Sequence, residues 1–163
     1  TSLCVFKNRY GQFDSKGDLK DGKKNGKWIH WYSNGQKWVE ASWKNGKKDG
    51  LWSVWAQNGI KEYEEIWKNN KEDGRWTWWN SEGEIELKGT WKDGKPSGEW
   101  LWYRYGSIDQ IGTFDSEGLI TKCKGTDGEN KTHVIVVNGI ESELLRTYDC
   151  EIFTSWRNNF NRN

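Results

Sequence analysis

The chain has 163 residues, of which 33% are apolar, and 25 basic groups nearly cancel 24 acidic ones to leave a formal net charge of +1. This composition excludes a thick aliphatic core, a global field suited to nucleic acid or anionic lipid, and, with no run near ~18 apolar residues, a transmembrane helix. Fourteen Trp are present, so whatever core the chain builds must be aromatic.

In chain order, residues 1–18 form an N-terminal cap ending in a partial unit, FDSKGDL at 13–19. Residues 19–118 then repeat. The segments LKDGKKNGKWIHWYSNGQKWVEAS, WKNGKKDGLWSVWAQNGIKEYEEI, WKNNKEDGRWTWWNSEGEIELKGT and WKDGKPSGEWLWYRYGSIDQIGT begin 24 residues apart, the last one residue short near Gly106. A period of this length indicates stacked supersecondary units, because a single unit cannot bury its own apolar face. Each unit carries two turn signals. Asn34-Gly35 and Asn58-Gly59 read as two-residue type I′ hairpins, with Ser81-Glu82-Gly83 a looser version. Asp21-Gly22, Asn45-Gly46, Asn69-Asn70 and Asp93-Gly94 supply the second turn. Two strands of about six residues are expected between them.

Strand alternation places Trp28, Trp52, Trp76 and Trp100 on one face, and Trp31, Trp55, Trp79 and Tyr103 on the other. In the second strand of each unit Val39, Tyr63 and Leu87 share a side with Trp43, Trp67 and Trp91, while Glu40, Glu64, Lys44, Lys68 and Lys92 are expected to face water. A second partial unit, FDSEG, closes the array at 114–118. Residues 119–163 do not repeat; THVIVVNGIESELLRTY reads as a capping hairpin turning at Asn138-Gly139, followed by a frayed polar tail. The expected architecture is all-β: an elongated single-layer array of stacked antiparallel β-hairpins with a C-terminal β cap.

The run D/N-G-K-x-x-G-x-W-x-x-W-Y-x-N-G-x-K-x-x-E-x-x-W-K, best matched at 21–44 and 45–68, resembles the MORN-type repeat, and specifically the bacterial variant found in the YwqK-like antitoxin family. The third unit departs from it at Asn70, Glu82 and Ile85. The resemblance implies a non-catalytic interaction module, either an antitoxin or immunity-type protein or an envelope scaffold.

Motifs for catalysis are missing from the sequence: His30 and His133 are far apart, and no HExxH, paired CxxC, phosphate loop or nucleophile elbow occurs. Glu40 and Glu64, equivalent in neighbouring units, could form an acid pair of the glycosidase kind, but they alternate with lysines and read as a solvated face. We therefore expect no enzyme, no cofactor and no metal site. Cys123 and Cys150 are a candidate disulfide, which would indicate an oxidising compartment and favours a periplasmic or secreted location over a cytoplasmic one; three unrelated thiols is the alternative. Asn130-Lys131-Thr132 matches a glycosylation sequon.

Ten Trp sit where the repeat demands them, and Trp38, Trp78, Trp102 and Trp156 do not. Trp78 and Trp102 share an offset in adjacent units, where the others have His30 and Val54. Trp78, Trp102, Trp38 and His30 are accordingly the candidate partner-binding residues, with packing under the C-terminal cap as the competing role for the Trp78 and Trp102 pair. The expected partner is a protein. The alternative is a cell-wall or glycan-binding module using exposed tryptophans, followed by a weak membrane-surface contact through Lys23, Lys24, Lys27, Lys44, Lys47 and Lys48; interleaved acids count against nucleic acid.

Overall fold

The structure, a computed structural model, describes residues 1–126 and the backbone of strand 132–136. Among the described residues twelve strands form one open antiparallel sheet whose spatial order is the chain order. They are β1 (Ser2–Lys7), β2 (Phe13–Lys20), β3 (Lys23–Trp31), β4 (Lys37–Lys44), β5 (Lys47–Trp55), β6 (Lys61–Lys68), β7 (Lys71–Trp79), β8 (Ile85–Lys92), β9 (Lys95–Arg104), β10 (Ser107–Phe114), β11 (Ile120–Thr126) and β12 (Thr132–Val136). The all-β hairpin array is as expected, and among the described residues there is no helix. The capping strand that carries Val134 and Val136 pairs antiparallel with β11. The turn at Asn138-Gly139 and the sequon residues Asn130 and Lys131 lie outside the described residues.

One of the two turns of each unit, the Asn-Gly one, differs from expectation, and the reason is local. The two-residue type I′ turns are Asp21-Gly22, Asn45-Gly46, Asn69-Asn70 and Asp93-Gly94, where both central residues have positive φ, as in Asp21 at 50° and Gly22 at 72°. Asn34-Gly35 and Asn58-Gly59 instead belong to five-residue loops in which only the glycine is left-handed, Gly35 at 85° and Gly59 at 88°. In the first of these loops Gly35 N–H donates to Tyr32 O, Tyr32 N–H to Gln36 O, and Gln36 N–H to the Asn34 side chain. Asn34 is thus used as a side-chain acceptor rather than as a left-handed residue. Ser81-Glu82-Gly83 has the same bonds, Gly83 N–H to Asn80 O and Asn80 N–H to Glu84 O, so the third unit is no looser than the others. The short turns leave strands of 8 and 9 residues, longer than the six expected. In the fourth unit Tyr105-Gly106, at φ of 52° and 73°, replaces the five-residue loop with a two-residue turn, which accounts for the shortening there.

One face is built by a row of alternating large and small residues. Trp28 is opposite Gly17 and Ala41, Trp52 opposite Ala41 and Glu65, and Trp76 opposite Glu65 and Gly89. Each indole needs a small neighbour to lie down upon: a Cβ on Gly17 would fall 2.3 Å from the Trp28 ring, and one on Gly89 2.1 Å from Trp100. Trp28 Nε1 then donates to Asp18 O at 2.9 Å and Trp100 Nε1 to Thr90 O at 3.2 Å. A thin sheet obtains its core in this way. Val39, Ala41 and Val54 cluster against Trp43, Trp52 and Tyr63, while Trp76, Leu87, Trp91, Trp100, Trp102, Phe114 and Cys123 form the larger cluster toward the C-terminal side.

Candidate functional site

The opposite face carries the polar row Glu40, Ser53, Glu64, Thr77 and Lys88. Glu40 binds Lys27 and Lys37, each at 2.7 Å, and these hydrogen bonds hold its carboxyl below the usual range. Glu64 binds Lys61 at 2.6 Å and accepts from the Ser53 hydroxyl at 3.2 Å. A general acid needs a raised pKa and a free proton, so lysine-held carboxylates two strands apart are poorly suited to acid–base work. Lysines also cover this face's rings, with Lys37 above Trp55 and Lys61 above both Trp55 and Trp79. No group of three or more metal-ligating side chains occurs among the described residues.

The aromatic face is more distinctive along the margin nearest the five-residue loops. Trp38, Glu62 and Glu86 occupy the same offset in successive units. Trp38 is 46% exposed and touches His30 and Tyr32, with ring centroids 6.4 and 5.8 Å away. Tyr32 is fixed in turn by donating its hydroxyl to Trp55 O at 2.9 Å, and Asn34 donates to Gln57 O at 3.0 Å, so the 32–36 loop is tied to the next unit. Burial, reinforced by the Lys24 charge, pushes the His30 pKa down against the opposing pull of Asp14, leaving a neutral ring at this margin.

Farther along, Trp78 is half-buried and meets Tyr63 edge-on at 6.2 Å. Of the two roles open to Trp102, exposed contact or packing, the structure has it buried at 7% exposure, and Leu87 of β8 stands between it and Trp78 in the register. The structure therefore brings Trp38 and His30 together, places Trp78 two strand pairs away, and withdraws Trp102 into the core. Between the 56–60 and 80–84 loops the margin opens into a groove of about 380 Å³ beside Tyr63, Trp78 and Trp79. Cys123 is fully buried and disulfide-bonded, and Cys4 is a free thiol; the expected partner Cys150 lies outside the described residues.

Sequence reasoning missed two features of this face. Lys24 lies over Trp28 and Trp43, and Lys48 over Trp52 and Trp67, so lysines assigned to a surface contact are partly committed to indoles. Glu65 is buried at 7% exposure where the other units have Gly17, Ala41 and Gly89, and accepts a hydrogen bond from Trp67 Nε1 at 2.6 Å. Burial pushes its carboxyl up to about 7, against the opposing pull of Trp67 and Lys48. Aligning positions 17, 41, 65 and 89 by the period would have exposed Glu65 as the exception.

The family model described as MORN repeat variant matches residues 24–45 and 72–93, two stretches in the same phase and two periods apart. Repeats of this type are generally non-enzymatic modules for protein or membrane interaction. No curated protein matches the chain.

Proposed function

We propose that this chain is a non-catalytic protein-binding module, of antitoxin or immunity type or an envelope scaffold, which presents the loop-side margin of its aromatic face to a protein partner. The observation that carries the reading is Trp38: a half-exposed indole braced by His30 and Tyr32, at a position where the repeat accepts glutamate in the next two units. A large rigid aromatic group costs little conformational entropy to dock, which is why such residues dominate binding hot spots. His30 and Trp78 extend the contact along the same margin, and Trp102, two strands beyond Trp78 and buried, packs the sheet beside it. The disulfide proposed between Cys123 and Cys150 would fix β11 to the C-terminal segment, and a non-reducing peptide map would identify that pair.

Commitment of Lys24, Lys48, Lys37 and Lys61 to indole rings favours this reading over an anionic membrane surface, since those ammonium groups are already engaged. The test is to co-express the chain with the product of a neighbouring gene that arrests growth. Relief of arrest by the native chain, lost with Trp38→Ala, supports the immunity form. Relief that ignores Trp38 overturns the placement of the interface, and retention of the chain on a glycan array without any protein complex would replace the reading with the glycan-binding one.

A further inference from the structure

The groove beside Tyr63 and Trp78 has a chemistry that the surrounding sheet lacks. Glu62 and Glu86, exposed and 24 residues apart, stand at its rim. Neither forms an ion pair or side-chain hydrogen bond with a described residue, whereas Glu40 and Glu64 are both held by lysines. The Glu62 charge reaches into the aromatic margin: after burial, it contributes to raising the Tyr32 phenol, and with Glu65 the Tyr63 phenol, which stands at about 12. Two ring surfaces wall the groove, Tyr63 and Trp78 meeting at 66°. Two carboxylates uncompensated by any described cation thus rim an aromatic cleft.

An anion would be repelled there, and an apolar group would strip water from the carboxylates without replacing its hydrogen bonds. A cation gains from both features, through the negative faces of the rings and through charge-assisted hydrogen bonds to the carboxylates. The protein already uses this chemistry internally, placing Lys61 above Trp55 and Trp79 with its ammonium 2.6 Å from Glu64. Of the two cationic side chains, the guanidinium fits better, since its plane can stack on a ring while its edge binds a carboxylate.

We propose that this groove is the receptor for an arginine side chain presented by the protein partner. The assignment deepens, and rests on, the protein-binding reading above. It predicts a partner whose contacting segment is basic, although the sheet as a whole is close to neutral.

The experiment uses the isotope-labelled full chain titrated with N-acetyl-arginine amide and, in parallel, with N-acetyl-citrulline amide, which has nearly the same shape and no charge. Arginine is expected to move backbone resonances of residues 56–63 and 78–86 and the indole N–H signal of Trp78, with citrulline moving none of them. The double variant Glu62→Gln, Glu86→Gln, altered at two exposed positions, is expected to bind arginine about five- to tenfold more weakly with its other resonances unshifted. An equal response to citrulline, shifts centred elsewhere, or unchanged affinity in the double variant would overturn the site. Arginine binding at the groove by a chain that captures no protein would leave the site standing and remove the protein-binding reading. A captured partner indifferent to both glutamates would do the reverse.

Discussion

In the first two units a lysine ammonium lies over paired indoles, Lys24 at 4.5 and 4.8 Å from Trp28 and Trp43, and Lys48 at 4.3 and 3.9 Å from Trp52 and Trp67. In the third unit the equivalent residue is Glu72, and Trp76 and Trp91 close directly on one another at 5.0 Å. Trp91 then meets Trp100 at 5.5 Å, and Trp100 meets Phe114 at 6.0 Å. Ring-on-ring packing builds the larger buried cluster, while the cluster in the lysine-covered half is the small aliphatic set Val39, Ala41 and Val54, with Trp28 buried apart from it beneath Lys24. One repeat can therefore be stabilised in two ways: a lysine stem and ammonium cover a pair of indoles, or, where glutamate replaces the lysine, the two rings close on one another.

The largest effect should come from emptying the ring-packed half. Trp100, at 0% exposure, is expected to cost about 3–5 kcal/mol on truncation to Ala. Trp52→Ala, at the same offset but only half-buried, should cost less than half as much. Equal shifts of the two urea midpoints would break the comparison.

Next is pH. The Glu65 carboxyl stands at about 7 in the fold against an ordinary 4.5, so the folded state binds its proton more tightly than the unfolded state. The stability linked to it is complete below pH ~4.5 and is lost as pH rises through about 7, a difference on the order of 3 kcal/mol. Glu65→Gln should abolish that slope in thermal melts run across the range, and a slope surviving in the variant would assign it elsewhere.

Gly89→Ala should cost about 1–3 kcal/mol, because the added Cβ would sit 2.1 Å from the Trp100 ring and must displace it. Near-ultraviolet dichroism should report the ring movement; an unchanged spectrum would show that the indole does not depend on the glycine. The smallest effect is Lys48→Met, at about 1 kcal/mol. This change should also raise the Glu65 transition further, since Lys48 favours the ionised carboxylate. A Glu65 midpoint that stays in place would separate the lysine from the buried acid.

Much of this was legible along the chain. The 24-residue period carried two strands per unit, the stacking of hairpins along the chain and the assignment of Trp28, Trp52, Trp76 and Trp100 to one face, because strand alternation and turn chemistry are local. The turn types were assigned less well, since Asn-Gly suits both a two-residue turn and the end of a five-residue loop; the bond from Gln36 N–H to Asn34 selects the latter. At the candidate site, Trp38 was singled out by its departure from the repeat, and His30 by sharing the offset of Trp78 and Trp102. For Trp102 both exposure and packing stayed open, because its offset carries no information about how Leu87 and Trp100 pack around it.

By itself the sequence determined the repeat, the hairpins and which residues share a face, all of which depend on spacing along one strand or across one turn. Only the tertiary structure decided which of those residues meet water. The lean of each indole over a small residue on the neighbouring strand, the cover of Lys24 and Lys48 on their rings, the burial of Glu65 and the opening beside Tyr63 and Trp78 all arise between strands. Burial depends on the volume filled by neighbours on either side, and a periodic pattern specifies the position of a side chain without specifying that volume.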